Sequence, residues 1–344
     1  MKVTMQTIAD DVGVSRNAVS LALRNHPSIS EQTKKLIEAS AKKLGYHRNP
    51  TYGELMSQMR MRGLGKTAAT IALFNANKSN DAFKNHPTIP EYVKGCQKRS
   101  TLLGYPLDYF WLHQPNTPSS RWIDILEARG IRGIIIIGLM KNNQLPKELL
   151  PIFEHFPTIV TGVRTRTPSL PFTCVDHHIL SLRAIEKAIS LGYKRPGLII
   201  DSTIDELVDH RFSAGYFTGQ QKLPKTRQLN PFFEADQANE DISLFKTWLK
   251  KEKPDVILTL YDYVQDWLTK LGYKIPSDIG LIQLEKRKNK PDWAGMNQHN
   301  DITGEAAIDM VISRIHHGEP GIPQFPQATL IGPTWEDGKT VRRQ

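Results

Sequence analysis

The side chains with the most chemistry to offer near the start of the chain are Ser15, Arg16 and Asn17. A guanidinium can donate two parallel hydrogen bonds to guanine, and a carboxamide can pair with the adenine edge. Both need the exposed first turn of a helix that enters a major groove. The flanking residues predict such an element. Apolar Ile8 and Val12, then Val19, Ala22 and Leu23, sit at helical spacing on either side of Gly13. That pattern reads as two short helices joined by a tight turn. Ala9 is small where the helices must pass closely, and Gly13 supplies the positive φ of the turn. Ser15 is placed to cap the second helix. An ordinary helical hairpin fits the same spacing, so the pattern needs support from the rest of the chain.

That support begins with the next segment. After a turn at Asn25-His26-Pro27-Ser28, Ser30 is placed as an N-cap. The run Thr33 to Leu44 sets Leu36, Ile37, Ser40, Ala41 and Leu44 on one face, with basic residues on the other. Gly45 ends that helix. The first 45 residues therefore predict a three-helix unit. Asn49 and Pro50 suit the cap and first position of a further short helix, from about 50 to 59, carrying Leu55, Met56 and Met59. Arg60 to Thr67, with Gly63 and Gly65, reads as a connector.

Charge is uneven. Residues 1–66 hold eleven Lys and Arg against five Asp and Glu, while the remaining 278 hold thirty-four against thirty. A basic head on a nearly balanced body fits a nucleic-acid-binding module joined to a larger domain. With 344 residues, 39% hydrophobic and 23% charged, the chain has room for two or three domains and a sizeable core. Ile134-Ile135-Ile136-Ile137 is strand length, far short of a membrane span. The opening residues lack a secretory pattern. Cys96 and Cys174, far apart, fit buried thiols in a reducing compartment. The expected location is cytoplasmic.

From Ala69 onward, short apolar runs alternate with amphipathic stretches. Strands are expected at 70–75, 106–111, 133–138, 158–162, 172–176, 196–201, 229–233, 255–260 and 279–284. Helices are expected at 91–103, 119–129, 145–155, 178–191, 206–221, 241–251, 262–271 and 303–316. This is an α/β pattern of doubly wound parallel sheets, with too many strands for one tidy sheet. Two lobes follow, with a ligand cleft at the carboxyl ends of their strands.

The chain resembles the lactose-repressor (LacI/GalR) family of bacterial transcription regulators over essentially its whole length. The head resembles it through Ile8-Ala9, Val12-Gly13-Val14-Ser15, Val19-Ser20, Ile29-Ser30, Thr33, Leu44-Gly45-Tyr46 and Asn49. The body resembles that family's periplasmic-binding-protein-like (type I) effector domain through Val175-Asp176-His177, Leu191-Gly192-Tyr193, Gly215-Tyr216, the run Leu271 to Ile279, and Gln298. The resemblance implies a helix-turn-helix domain at 1–48, a hinge helix and linker at 49–66, and an effector-binding and dimerisation domain at 67–344. Within the latter it implies an N-lobe of about 67–162 plus 298–326 and a C-lobe of about 163–297 plus 327–344.

It also implies a homodimer on a roughly palindromic operator of double-stranded DNA, with half-site spacing set by the two-fold axis. Arg16, Asn17 and the position of Leu21 would face bases; an arginine often stands where Leu21 does, so one guanine contact is missing. Thr4, Ser15, Ser30 and Thr33 would meet phosphates, and Leu55 would enter the minor groove as a wedge. The hinge departs from the family pattern at Arg48-Asn49-Pro50, Tyr52 and Gly53, and Gly53 costs a helix about 1 kcal/mol relative to Ala. The implied effector is a small molecule of the carbohydrate class, bound by Asn75, Arg211, Tyr261, Asp262 and Glu285. Arg211 lies one residue further from Gly215 than the family spacing, which aligns Phe212 instead. No heptad tail follows Arg342-Arg343, so a dimer is expected rather than a tetramer.

Enzymatic chemistry finds little footing. Gly65-Lys66-Thr67 lacks the earlier glycine of a phosphate loop, where Arg60 stands, and no strand precedes it. Cys174 with His177 and His178 is a poor metal set. His316-His317 suits a helix carboxyl end, and Trp248, Trp267 and Trp293 suit packing. No nucleophile, base and orienting group stand in a recognisable pattern, so neither an enzyme nor a cofactor is expected. The competing readings are a solute-binding receptor, which has no use for a basic helical head, and a sugar-handling or nucleotide-handling α/β enzyme.

Overall fold

A computed structural model describes residues 4–23, 29–46, 69–114, 118–319 and 321–344. The expected hinge helix, its Leu55 and the connector lie outside these residues.

The head is three helices, α1 (Met5–Val12), α2 (Arg16–Ala22) and α3 (Glu31–Lys43). Gly13 takes φ 73° and lets the chain turn after α1. Ile8, Val19 and Ile37 are wholly buried at the centre of the head, and each such burial contributes about 1.5–3 kcal/mol. Leu36 departs from expectation: it is 56% exposed, and Ser40 and Ala41 complete the inner face with Ile37.

The body is an α/β structure of two sheets. The elements in order are β1 (Thr70–Asn75), α4 (Ala82–Asn85), α5 (Ile89–Leu103), β2 (Leu107–Trp111), α6 (Ser119–Ala128), β3 (Ile131–Ile137), α7 (Leu150–His155), β4 (Thr158–Thr161) and β5 (Phe172–Val175). There follow α8 (His177–Ser190), β6 (Pro196–Ile199), α9 (Ser202–Leu207), α10 (Arg211–Gln220), α11 (Ala235–Glu240), α12 (Ile242–Glu252), β7 (Val256–Thr259), α13 (Tyr263–Lys270), β8 (Gly280–Gln283), β9 (Ala294–Asn297), α14 (Asn300–His317), β10 (Ala328–Ile331) and β11 (Thr334–Glu336). A six-stranded parallel sheet runs β10-β5-β4-β3-β1-β2, and a five-stranded sheet runs β11-β9-β8-β7-β6, antiparallel only at β11.

The strand order corrects two expected boundaries. Residues 172–175 and 328–331 belong to the N-lobe sheet, where β10 pairs with β5 from Ala328–Phe172 to Ile331–Val175. The chain thus crosses between lobes three times, at Asp176, between β9 and α14, and between β10 and β11. The stretch 229–233 is not a strand; only Phe232 bridges to Ile199, because Pro231 has no N–H for a ladder. The expected helix over 206–221 is two helices, broken where Asp209 and His210 take φ 55° and 57°. The strands β9, β10 and β11 carry too few apolar residues to announce themselves.

Glycines set one contact that matters for the site. A Cβ on Gly95 of α5 would overlap the carbonyl oxygen of Asp301, and one on Gly304 of α14 would overlap that of Tyr92. These two helices pack backbone against backbone, which brings the start of α14 beside the loop before α5.

Candidate functional site

In the head, Arg16 and Asn17 stand exposed on the first turn of α2, the position that base reading requires. Leu21, half-buried one turn on, offers no polar group there. Three of the hydroxyls expected at phosphates are helix caps. Thr4 Oγ1 accepts from the Thr7 amide at 3.3 Å while Thr7 Oγ1 accepts from the Thr4 amide at 3.2 Å. Ser15 Oγ accepts from Ala18 N at 3.1 Å, and Ser30 Oγ accepts from Thr33 N at 3.2 Å. Capping therefore explains Thr4, Ser15 and Ser30 without DNA. Thr33, whose hydroxyl lies 2.8 Å from that of Ser30, completes the same turn. Asp11 ties α1 to α3: it accepts from Ser40 Oγ at 2.6 Å and pairs with Lys43 at 3.3 Å. The Ser40 hydrogen bond and the lysine hold its carboxyl below the ordinary value.

Between the lobes, Glu285 follows β8 and is 8% exposed. One oxygen accepts from Asn300 Nδ2 at 2.9 Å, and the other accepts from Thr88 Oγ1 at 3.0 Å with Arg287 at 3.5 Å. Thr88 immediately precedes α5 and Asn300 opens α14, both in the N-lobe, so this carboxylate bridges the cleft. Burial pushes its pKa up, against Arg287 and the hydrogen bonds that draw it down. Asp262 joins the same cluster, accepting from Gln283 Nε2 at 3.1 Å and lying 3.4 Å from Arg287. Lys288 adds an ion pair to Glu91 of α5 at 3.0 Å.

The remaining expected effector residues behave differently. Asn75, at the end of β1, donates to the carbonyls of Ser79 and Asn80 and accepts from Asn77 N at 2.9 Å, so it shapes its own loop. Tyr261 stacks on Tyr263 with centroids 4.9 Å apart and accepts from Asp201 N at 2.9 Å; one ring face is already covered. Arg211 opens α10 and reaches across to the N-lobe, donating to Cys174 Sγ at 3.7 Å with its guanidinium 5.7 Å from the Phe172 ring centre. It therefore does face the cleft despite its shifted spacing, while Phe212 is 2% exposed and packs against His177.

The head matches the family model described as "Bacterial regulatory proteins, lacI family" over residues 4–49. The head is of the LacI type. The chain is 22% identical over 320 residues to the HTH-type transcriptional regulator MalR of Streptococcus pneumoniae, covering 92% of this chain and 94% of that one. It is 21% identical to the NTD biosynthesis operon regulator NtdR of Bacillus subtilis, over 83% of each chain. Among solved structures, a CelR transcriptional regulator–cellobiose complex superposes with TM-score 0.59 at 15% identity, over 98% of this chain and 99% of that one. A lac repressor dimer bound to operator and the anti-inducer ONPF superposes with TM-score 0.58 at 16% identity, over 99% of both. The LacI-type head marks the chain as a DNA-binding regulator.

Both cysteines are free and buried. Trp248, Trp267 and Trp293 are buried in one apolar cluster. His317 Nδ1 lies 2.7 Å from the Ser313 carbonyl near the end of α14, and His316 meets Tyr105 Oη at 2.7 Å. Among the described residues no trio of His, Cys, Asp or Glu is grouped to hold a metal, and no helix is long and apolar enough to cross a membrane. Thr88, Arg287, Asn300, Arg164 and His177 are cleft residues that sequence reasoning missed as such. Arg287 stood within reach of a reader, two places beyond Glu285; Thr88 and Arg164 lie in irregular segments that carry no periodic signal.

Proposed function

We propose that the chain is a homodimeric, cytoplasmic transcriptional repressor that grips a roughly palindromic operator and loosens or tightens that grip when a small molecule, of the carbohydrate class, binds between its lobes. In this reading a head at 1–48, a hinge and linker at 49–66 and an effector and dimerisation domain from 67 divide the work. Arg16 and Asn17 read bases; the caps Thr4, Ser15 and Ser30, with Thr33 beside Ser30, border phosphates; Leu55 wedges the minor groove. Glu285, Asp262, Tyr261, Arg211 and Asn75 frame the effector site.

The observation that carries the effector half is the polar bridge from Glu285 to Thr88 and Asn300 across the lobes. A ligand hydroxyl that takes over those hydrogen bonds changes how the lobes meet. The coupling is reciprocal: a ligand that weakens DNA binding is itself weakened by DNA, by the same factor. Selection of bound duplexes from random DNA by the full chain, with and without a panel of sugars, tests it. Recovery of a symmetric motif whose occupancy shifts with one ligand is expected; no enriched sequence under any condition defeats the reading.

A further inference from the structure

Resting on that effector-controlled reading, the cleft also indicates what kind of small molecule it takes. Its two ends differ in charge balance. At the Glu285 end, two carboxylates, Glu285 and Asp262, share Arg287. At the other end, Arg164, Phe172, Cys174, His177, Asp209 and Arg211 enclose a space that leaves no room for a water molecule in this arrangement of the lobes. Asp209 is the single carboxylate lining it, and Arg166 at 3.0 Å and Arg164 at 3.8 Å already share it.

Arg211 is thereby left with a poor partner. Its hydrogen bond goes to Cys174 Sγ at 3.7 Å, a thiol whose pKa burial pushes up to about 12, so it stays uncharged. The Arg164 and Arg211 guanidiniums stand over the same Phe172 ring, 5.1 and 5.7 Å from its centre. Two cations on one ring attract the ring but repel each other. Beside them His177 is 5% exposed, and its Nδ1 has no hydrogen-bond partner. Burial and the Arg211 charge hold that ring neutral, with its pKa down at about 3. Buried polar groups ordinarily find partners, so one left without any calls for explanation.

A guanidinium facing a neutral thiol and an unsatisfied imidazole supply hydrogen-bonding capacity and positive charge with nothing present to use either. A neutral hydroxyl would answer the first and leave the second. We propose that the effector is an anion, a phosphate ester or carboxylate of a polyol, whose charged group enters between Arg164, Arg211 and His177 as the lobes part. Planar guanidiniums bind such oxygens with paired, charge-assisted hydrogen bonds. The polyol body then extends toward Glu285, Thr88 and Asn300, and the anion competes with Asp209 for Arg164.

Two measurements on the full chain test this. The first is thermal unfolding with added inorganic phosphate, at ionic strength held constant with chloride. A saturable rise in Tm is expected for the parent protein and for Arg132→Gln, an exposed cation on β3 outside the cleft, but not for Arg211→Gln or Arg164→Gln. Arg164 is 46% exposed, so its replacement keeps the test valid should Arg211→Gln fold poorly. The second is calorimetric titration with matched pentoses and hexoses, each as the neutral sugar, its terminal phosphate ester and its aldonic acid. A charged member should bind at least about tenfold tighter than its neutral parent, a preference that collapses in Arg211→Gln; whichever charged member wins identifies phosphate or carboxylate. Neutral sugars that bind equally well and shift operator occupancy overturn the anion inference and leave effector control standing. A phosphate response surviving both arginine replacements also overturns it. Absence of any binder, with operator occupancy unmoved throughout, removes both.

Discussion

Replacing Arg16 by alanine separates base reading from phosphate binding more cleanly than any other single change. Arg16 is exposed on the first turn of α2, whose cap is made by Ser15 and not by the arginine. Alanine is also the better helix former. The head should therefore keep its stability to within about 0.5 kcal/mol, as surface replacements do. A lost bidentate contact to guanine is worth about 1–3 kcal/mol per half-site. In the proposed two-fold dimer the loss enters twice, about 2–6 kcal/mol, which lowers operator affinity roughly 30-fold to 10⁴-fold. The assay is fluorescence anisotropy on the selected operator and on duplexes with each half-site base pair changed in turn, at two salt concentrations. The variant should stop discriminating at one symmetric pair of positions and keep its preferences elsewhere. Uniform weakening across all duplexes, with a salt slope reduced by about one per half-site, would instead make Arg16 a phosphate contact and refute the assignment.

Four further outcomes are expected. Gly304→Ala should lower the Tm of the body by about 2–10 °C in scanning calorimetry, since its methyl meets the Tyr92 carbonyl and overpacking costs about 1–3 kcal/mol; an unchanged Tm would mean α5 and α14 separate easily. For Asp11, the folded carboxyl titrates below its ordinary 3.8, so its contribution is fully present above that pH and is lost as pH falls through the lower folded value. Circular dichroism should then show Ser40→Ala unfolding its head at higher pH than the parent during acidification, and coincident acid transitions would count against the link. Glu285→Gln should weaken effector binding about 10-fold to 100-fold by calorimetry, as hydrogen bonds to a charged acceptor contribute about 1.5–3 kcal/mol, with operator affinity in the absence of effector retained. Cys174, with its thiol pKa near 12, should resist alkylation at pH 8 in the native protein and react on unfolding; rapid native labelling would show that the lobes spend much of their time apart.

What the sequence disclosed follows from what the physics writes into local patterns. The head was legible because each of its helices has its own cap and apolar stripe: Ser15 and Ser30 cap where expected, and Ile8, Val19 and Ile37 meet at its centre. Fully buried strands such as Ile134 to Ile137 are apolar on both faces and stand out for that reason. By contrast, β9 reads Ala-Gly-Met-Asn and β10 is half exposed, so neither has a run or an alternation to detect. The lobe boundaries failed with them, because they depend on which strand pairs with which, a long-range choice. At the cleft, the sequence names Glu285 and Arg211 as residue types at expected positions, but not the partners they meet. Thr88 reaches Glu285 across 197 residues of sequence, a distance at which no spacing rule operates. Asn75 and Tyr261 show the converse: polar residues at strand ends whose hydrogen bonds are consumed by neighbouring loops.

The edge strands β10 and β11 have a consequence for biogenesis. Each closes one side of a different sheet, and both come from residues 328–336, translated after every other described strand. While a ribosome is still translating the preceding segment, the open flanks of β5 and β9 carry unmet backbone donors and acceptors, a template for association with other nascent chains. A premature stop just before Ala328 strips both lobes together, and its product should appear in the insoluble fraction rather than as a weakened regulator.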